Sequence, residues 1–406
     1  MTSTSRHDAT APPTPATIGF RPRVGHGSAL VGSPAGASYA PPVTDEPTIH
    51  FLTDGGQTAA SILDRLVTYL DGAKQSLDIA IYDAHLAPEL TERLLGAFAA
   101  AEARGVAVRA VYNDLTKFSP DHPPKPSKAS PPTGASLLER LTQSVPFKSI
   151  SGIPDLMHHK YVIRDRESVW TGSTNWTDDA WSRQENALIV IPSADLAAAY
   201  QQNFDELWAG GIVQDSGNFD DEPASLTSHD HPFMVRAMFS PARGAQISEL
   251  IGQRITDART RINICSPVIT SSEILKALVA RIEGGTMPVG ATIAIDGPQM
   301  YGAISQWKQN PHASWKVPLA EQVLASGLVA AKPSTPYAPG ALHDYMHAKM
   351  VVCDDHVMTG SFNCSHSGEM NAENVLDVQS APFADECTTF VTAVHNRYAS
   401  TPARRS

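Results

Sequence analysis

The sequence predicts an α/β protein built twice over, with two similar lobes, each a sheet carrying helices on its faces, related by a pseudo-twofold axis. Three observations carry that expectation. Strand-like and helix-like stretches alternate along the chain. Their pattern returns after 185 residues. One charged motif, with the same trailing residues, stands in each half.

Residues 1–47 hold eight prolines among many Ala, Ser, Thr and Gly, with three arginines against three acids. Such a segment buries too little apolar surface to offset its ordering entropy, so a disordered arm is expected. The first lobe is expected over 48–222, starting near Thr48-Ile49-His50-Phe51-Leu52, and the second over 223–406. Ile62, Leu63, Leu66, Val67 and Leu70 have helical spacing, and Leu77 to Tyr82 reads as a strand. In the second half Ile247, Leu250, Ile251 and Ile255 form the matching helix face, followed by the strand Ile262 to Cys265. A further helix (Pro88 to Arg104; Ser272 to Glu283) and strand (Val106 to Tyr112; Ala291 to Ile295) come next in each half. Late helices are expected at Ala194 to Trp208 and Asp385 to Tyr398, packed behind the motif strands. Ser119 to Thr133 and Ser334 to Gly340 read as loops, each shortly before a motif.

Composition narrows the partners. The 406 residues are 42% hydrophobic and 18% charged, enough for a sizeable core. A net charge of −11 weighs against a surface built throughout to grip nucleic acid, although it leaves a local basic pocket open. The four cysteines, Cys265, Cys353, Cys364 and Cys387, form no C-x-x-C pair, so neither a disulfide framework nor a thiolate metal site is expected. No basic stretch leading into an apolar run marks an ordinary secretory signal, and no run nears the roughly 20 apolar residues of a membrane span. The compartment is left open, between the cytoplasm and export without an ordinary signal peptide.

The chemistry lies in two constellations. Met157-His158-His159-Lys160-Tyr161-Val162-Ile163-Arg164-Asp165 is followed by Gly172-Ser173-Thr174-Asn175-Trp176 and Glu185-Asn186. Met346-His347-Ala348-Lys349-Met350-Val351-Val352-Cys353-Asp354 is followed by Gly360-Ser361-Phe362-Asn363 and Glu373-Asn374. The histidines lie 189 residues apart, and the Gly-Ser and Glu-Asn pairs 188. In a strand, residues i and i+2 share a face, so His158 projects with Lys160 and His347 with Lys349, while His159 faces away. A Gly-Ser turn with Asn two residues later offers hydroxyl, amide and backbone N–H groups to phosphate oxygens. A lone His-x-Lys-x4-Asp arises by chance in roughly a few per cent of chains this long. Two copies with matched trailing residues do not arise that way.

These paired motifs resemble those of the phospholipase D superfamily, over essentially residues 48–398. The resemblance implies a duplicated bilobal phospholipase D-like fold, with two mixed sheets flanked by helices and one active site where the lobes meet. It also implies a metal-independent phosphodiesterase with a covalent phosphohistidine and no cofactor. By position, His158 is the nucleophile and His347 the general acid and base, an order taken from the family. Lys160 and Lys349 bind the phosphoryl oxygens, helped by Ser173, Asn175, Ser361 and Asn363. Glu373 is expected to orient His158, and Glu185 to orient His347. Asp165 and Asp354 close the motifs as structural supports.

His158, His159 and Asp165 as metal ligands conflict with two lysine ammoniums in the same pocket. Trp170, Trp176 and Trp181 are expected in the core and not in a groove. The leading substrate is a phospholipid, cleaved or given a new headgroup by a monomer that touches the membrane surface transiently. The alternative is a nuclease of the same superfamily, and a scaffold that has lost activity fits least with four intact motif residues.

Overall fold

The structure, a computed structural model, describes residues 46–118, 137, 140–141, 145–214, 216–219, 222–338 and 340–399. The expected arm lies outside the described residues up to 45, as does the expected loop at 119–133.

The first lobe runs β1 (Thr48–Leu52), α1 (Ala59–Asp71), β2 (Ser76–Ile81), β3 (Ala84–His85), α2 (Pro88–Ala103), β4 (Ala107–Phe118) and β5 (Phe147–Ile153). It continues with β6 (Lys160–Arg164), β7 (Ser168–Gly172), β8 (Trp176–Thr177), α3 (Asp178–Ser182), β9 (Asn186–Pro192) and α4 (Ala194–Gly210). The second runs β10 (Ala224–Ser228), β11 (His231–Ser240), α5 (Gly244–Asp257), β12 (Ile262–Cys265), α6 (Ser272–Glu283), β13 (Thr292–Asp296), α7 (Gly297–Lys308) and α8 (Lys316–Ala325). It closes with β14 (Val329–Lys332), β15 (Met350–Cys353), β16 (His356–Gly360), α9 (His366–Met370), β17 (Glu373–Gln379) and α10 (Ala381–Ala399). Between α4 and β10 the described residues form no helix or strand, and the lobe boundary we propose at 222/223 falls there.

The two sheets repeat one plan. The order β1-β9-β7-β6-β2-β4-β5 in the first is matched by β11-β17-β16-β15-β12-β13-β14 in the second, which adds β10 at its edge. Both are mixed. The β2/β4, β4/β5, β12/β13 and β13/β14 pairs are parallel, and the other pairs are antiparallel.

The motif strands β6 and β15 lie inside the sheets, with a neighbour on each side. Their apolar runs, Tyr161-Val162-Ile163 and Met350-Val351-Val352-Cys353, are buried throughout, as a strand covered on both faces requires. Each motif ends on an aspartate with positive φ, 56° at Asp165 and 51° at Asp354. The Asp165 carboxylate accepts the backbone N–H groups of Lys74, Gln75 and Ser76 at 2.6–3.0 Å. Asp354 does the same for Arg259, Thr260 and Arg261 and also accepts the Thr260 hydroxyl at 2.6 Å. Each aspartate thus pins the turn that leads into the strand beside its motif.

One buried core joins the sheets. Tyr161, Ile189, Tyr200 and Phe204 belong to the same cluster as Phe239, Met350, Leu376 and Val391. Helix α4 touches both β7 and β11, and Phe51 of β1 stacks on Phe390 of α10 with ring centres 4.4 Å apart. Those two late helices therefore hold the lobes together. Trp170, Trp176 and Trp181 are buried in the first lobe's own core, as is Cys353 in the second's. All four cysteines are free and buried.

Candidate active site

The lobes exchange backbone at the start of each motif. His158 N–H donates to Ala372 O at 2.9 Å and Ala372 N–H donates to Leu156 O at 2.8 Å. His347 N–H donates to Glu185 O at 3.0 Å. Isolated bridges Met157–Ala372 and Glu185–Met346 mark the same crossing. Each motif is thereby pinned against the Glu-Asn segment of the other lobe, and the two histidines arrive in one place. Support from behind is also symmetric: Asn113 Oδ1 accepts Met157 N–H at 2.9 Å, and Asp296 Oδ2 accepts Met346 N–H at 3.0 Å.

The regular strand starts at Lys160, two residues later than the alternation predicted, but the shared face survives. Tyr82 touches both side chains: its ring meets His158 edge-on at 4.6 Å and lies 4.9 Å from Lys160 Nζ. His159 faces the core, against Tyr161 and Phe239. Each motif lysine curls back on its own histidine's carbonyl, Lys160 Nζ to His158 O at 2.5 Å and Lys349 Nζ to His347 O at 2.6 Å.

His158, Lys160, Lys349 and Glu373 are buried and His347 is partly exposed, and the electrostatics of the site follow from that burial. Burial pushes Lys160 down to about 7, and burial with the neighbouring Lys160 ammonium brings Lys349 well below the usual lysine range. His158 is held well below its ordinary value by burial and by both lysines, and His347 likewise by burial, both lysines and His158. Glu373 is pushed up to about 7 by burial. His158 Nδ1 and Glu373 Oε2 are 2.7 Å apart, so the coupled pair is set to share a proton. With two lysines and two imidazoles set against Glu373 and Asp83, the site is short of negative charge, which an anionic ligand would supply.

The Gly-Ser turns frame this centre. A Cβ on Gly172 would sit 2.1 Å from Ala187 O, and one on Gly360 2.3 Å from Asn374 O, so only glycine lets the turn close on β9 or β17. Ser173 donates its hydroxyl to Asn186 Oδ1 at 2.8 Å and accepts Ala187 N–H at 2.9 Å. Ser361 accepts Asn374 N–H at 3.0 Å. The Ser361 hydroxyl also donates to the Glu373 carboxylate, so it serves the centre as well as the turn. Among the described residues, Asn175 and Asn363 each keep a buried Oδ1 with no partner.

One expectation is corrected. Glu373 reaches His158, but Glu185 does not reach His347. Among the described residues its carboxylate is held by Lys332 Nζ at 2.8 Å, the Tyr398 hydroxyl at 2.5 Å and Asp54 N–H at 3.4 Å. A fully buried carboxylate needs a cation, and here the cation comes from β14. His347 Nδ1 instead meets Asn186 Oδ1 at 3.1 Å. The Asn186 amide donates to Ala180 O and Gln184 Oε1, so its oxygen is the acceptor and Nδ1 of His347 carries the hydrogen. Sequence reasoning missed Lys332, Tyr398, Tyr82 and Asn186 in its working role.

Crossed histidine–lysine motifs on a duplicated mixed-sheet fold define a protein of the phospholipase D superfamily. More narrowly, the chain belongs to the family described as "Cardiolipin synthase, PLD-like domain", which matches residues 66–208 and again 251–393. It is 28% identical over 148 residues to a mitochondrial cardiolipin hydrolase of Xenopus laevis, 36% of this chain and 61% of that protein. It is 30% identical over 142 residues to a phospholipase D of Rickettsia conorii, 34% of this chain and 60% of that protein. The chain thus spans about three fifths of the length of these curated relatives. In fold it is similar to the phosphatidylserine synthase of Haemophilus influenzae Rd KW20, with a TM-score of 0.60, 13% identity and 86% of each chain covered.

Proposed function

We propose that this protein is a metal-independent phosphodiesterase that cleaves phospholipids, or exchanges their headgroups, through a phosphohistidine on His158. The observation that carries the reading is the contact of His158 with Glu373 across the lobes, in a pocket where Lys160 and Lys349 bear on both imidazoles.

In the first step Nε2 of His158 attacks phosphorus, the bond to the leaving oxygen breaks, and His347, protonated once the bound phosphodiester offsets the lysine charge that holds it down, gives that oxygen a proton. Attack leaves positive charge on the His158 ring, and the Glu373 carboxylate at Nδ1 stabilises it. In the second step His347 takes a proton from water or an alcohol, the new oxygen attacks phosphorus, and the P–N bond breaks. Lys160 and Lys349 carry the charge that grows on the equatorial oxygens. The amides of Asn175 and Asn363 add hydrogen bonds to the same oxygens. Asp165 and Asp354 hold the turns and take no part in the proton transfers.

Three features support a lipid substrate. The chain carries a net charge of −11, which disfavours a polyanion. Beside His347, the rings of Tyr337, His343 and Tyr345 stack at 5.4 and 5.5 Å, and Tyr337 stands 75% exposed, the amphipathic rim that suits a membrane surface. Relatives named cardiolipin hydrolase and phospholipase D are consistent with both. No helix among the described residues is long and apolar enough to cross a membrane, so contact is expected at the surface.

The test is an assay on phosphatidylcholine vesicles with ethanol and EDTA, comparing wild type with His158→Ala. Choline and phosphatidylethanol formed by wild type alone support the reading. Cleavage of single-stranded DNA in place of lipid overturns the substrate and keeps the chemistry.

A further inference from the structure

The duplication is broken around Glu185, and the break bears on the histidines. Asn113 and Asp296 are equivalent, since each holds the start of its lobe's motif. In the sheet register Asn113 lies opposite Ile150, whereas Asp296 lies opposite Lys332. The second lobe therefore has a buried lysine where the first has a buried isoleucine. The late helices differ too. Ser193 and Ser380 each give their carbonyl to the N–H four residues on, at the start of α4 and α10, and Gly211 stands as far past Ser193 as Tyr398 stands past Ser380. Both groups that the first lobe lacks converge on Glu185.

We propose that Lys332 and Tyr398 are positioning residues that clamp Glu185 away from His347, so that only His158 has a carboxylate partner and the two histidines take different roles. This rests on the functional reading above and deepens it. A nucleophile that becomes a phosphorylated, positively charged ring gains from Glu373. An acid that must release its proton gains from having only the neutral Asn186 behind it. The groups facing His347 are Lys349, Lys160 and His158, and those facing Glu185 are Lys332, Tyr398, Asp54 and Cys265. Freed from the clamp, Glu185 is the carboxylate best placed to reach His347, through the strand segment that already bonds its backbone.

The experiment is an NMR titration of the full chain labelled at histidine, with His347 assigned through His347→Gln. In Lys332→Gln the His347 midpoint is expected to rise by about one unit or more. It returns to the wild-type position in Lys332→Gln/Glu185→Gln, which removes both buried charges together, and Lys332→Arg leaves it in place. An unmoved midpoint in a folded Lys332→Gln, or an equal rise in the double variant, overturns the clamp. Should Lys332→Gln fail to fold, Tyr398→Phe gives a smaller rise in the same direction, and no rise there overturns it equally. The readout needs no turnover, so a wild type without phosphodiesterase activity defeats the functional reading separately.

Discussion

Nδ1 of His158 lies 2.7 Å from Oε2 of Glu373, a residue 215 positions away in the other lobe. Neither lobe alone holds both halves of this pair. Glu373→Gln keeps the shape but removes the charge that stabilises a phosphorylated ring. We expect kcat to fall about 10²–10⁴-fold with little change in KM, measured by steady-state kinetics on vesicles.

Lys160 is protonated below about 7 and neutral above it, because burial lowers its pKa. Phosphate binding is expected to be tightest below that pH and to weaken as pH rises through it. A KM–pH profile reads this directly. Lys160→Gln is expected to flatten the profile and lower kcat/KM about 10²–10³-fold.

Asp354 is held at about 2 because three N–H groups and the Thr260 hydroxyl bond its charged form, outweighing partial burial that acts the other way. A depressed carboxylate contributes stability that is present above its unfolded pKa and is lost as pH falls through the folded one. Asp354→Ala is expected to cost about 1–3 kcal/mol at neutral pH, and less as pH approaches 2. Thermal melts at pH 7 and pH 3 check both parts.

The lysine pair and the histidines supply both the charge and the nucleophile in this mechanism. EDTA dialysis is therefore expected to leave the rate unchanged, and loss of activity restored by one divalent metal contradicts the mechanism.

Much of this was legible in the chain. The doubled fold followed from periodicity, since β2, β12, α1 and α5 bury the residues whose spacing announced them. His158, Lys160, His347 and Lys349 stood out because their spacing repeats. Glu185 was misplaced for the same reason: symmetry argued for a partner that the second lobe's own residues had taken away. Lys332 lies in no motif, and its importance is visible only once the register sets it against Ile150. The serines of the Gly-Ser pairs read as phosphate ligands, and a sequence does not show that their hydroxyls also meet the neighbouring strand.

The most direct test of the account is to trap the intermediate. His347→Asn lacks the base for the second step, and a labelled phosphatidyl ester of p-nitrophenol, whose leaving group needs no proton, bypasses its loss as the acid of the first, so a rapid quench followed by peptide mass spectrometry should find the phosphatidyl group on His158. No adduct should form in His158→Ala. Product release without any adduct, or an adduct at another residue, contradicts the account.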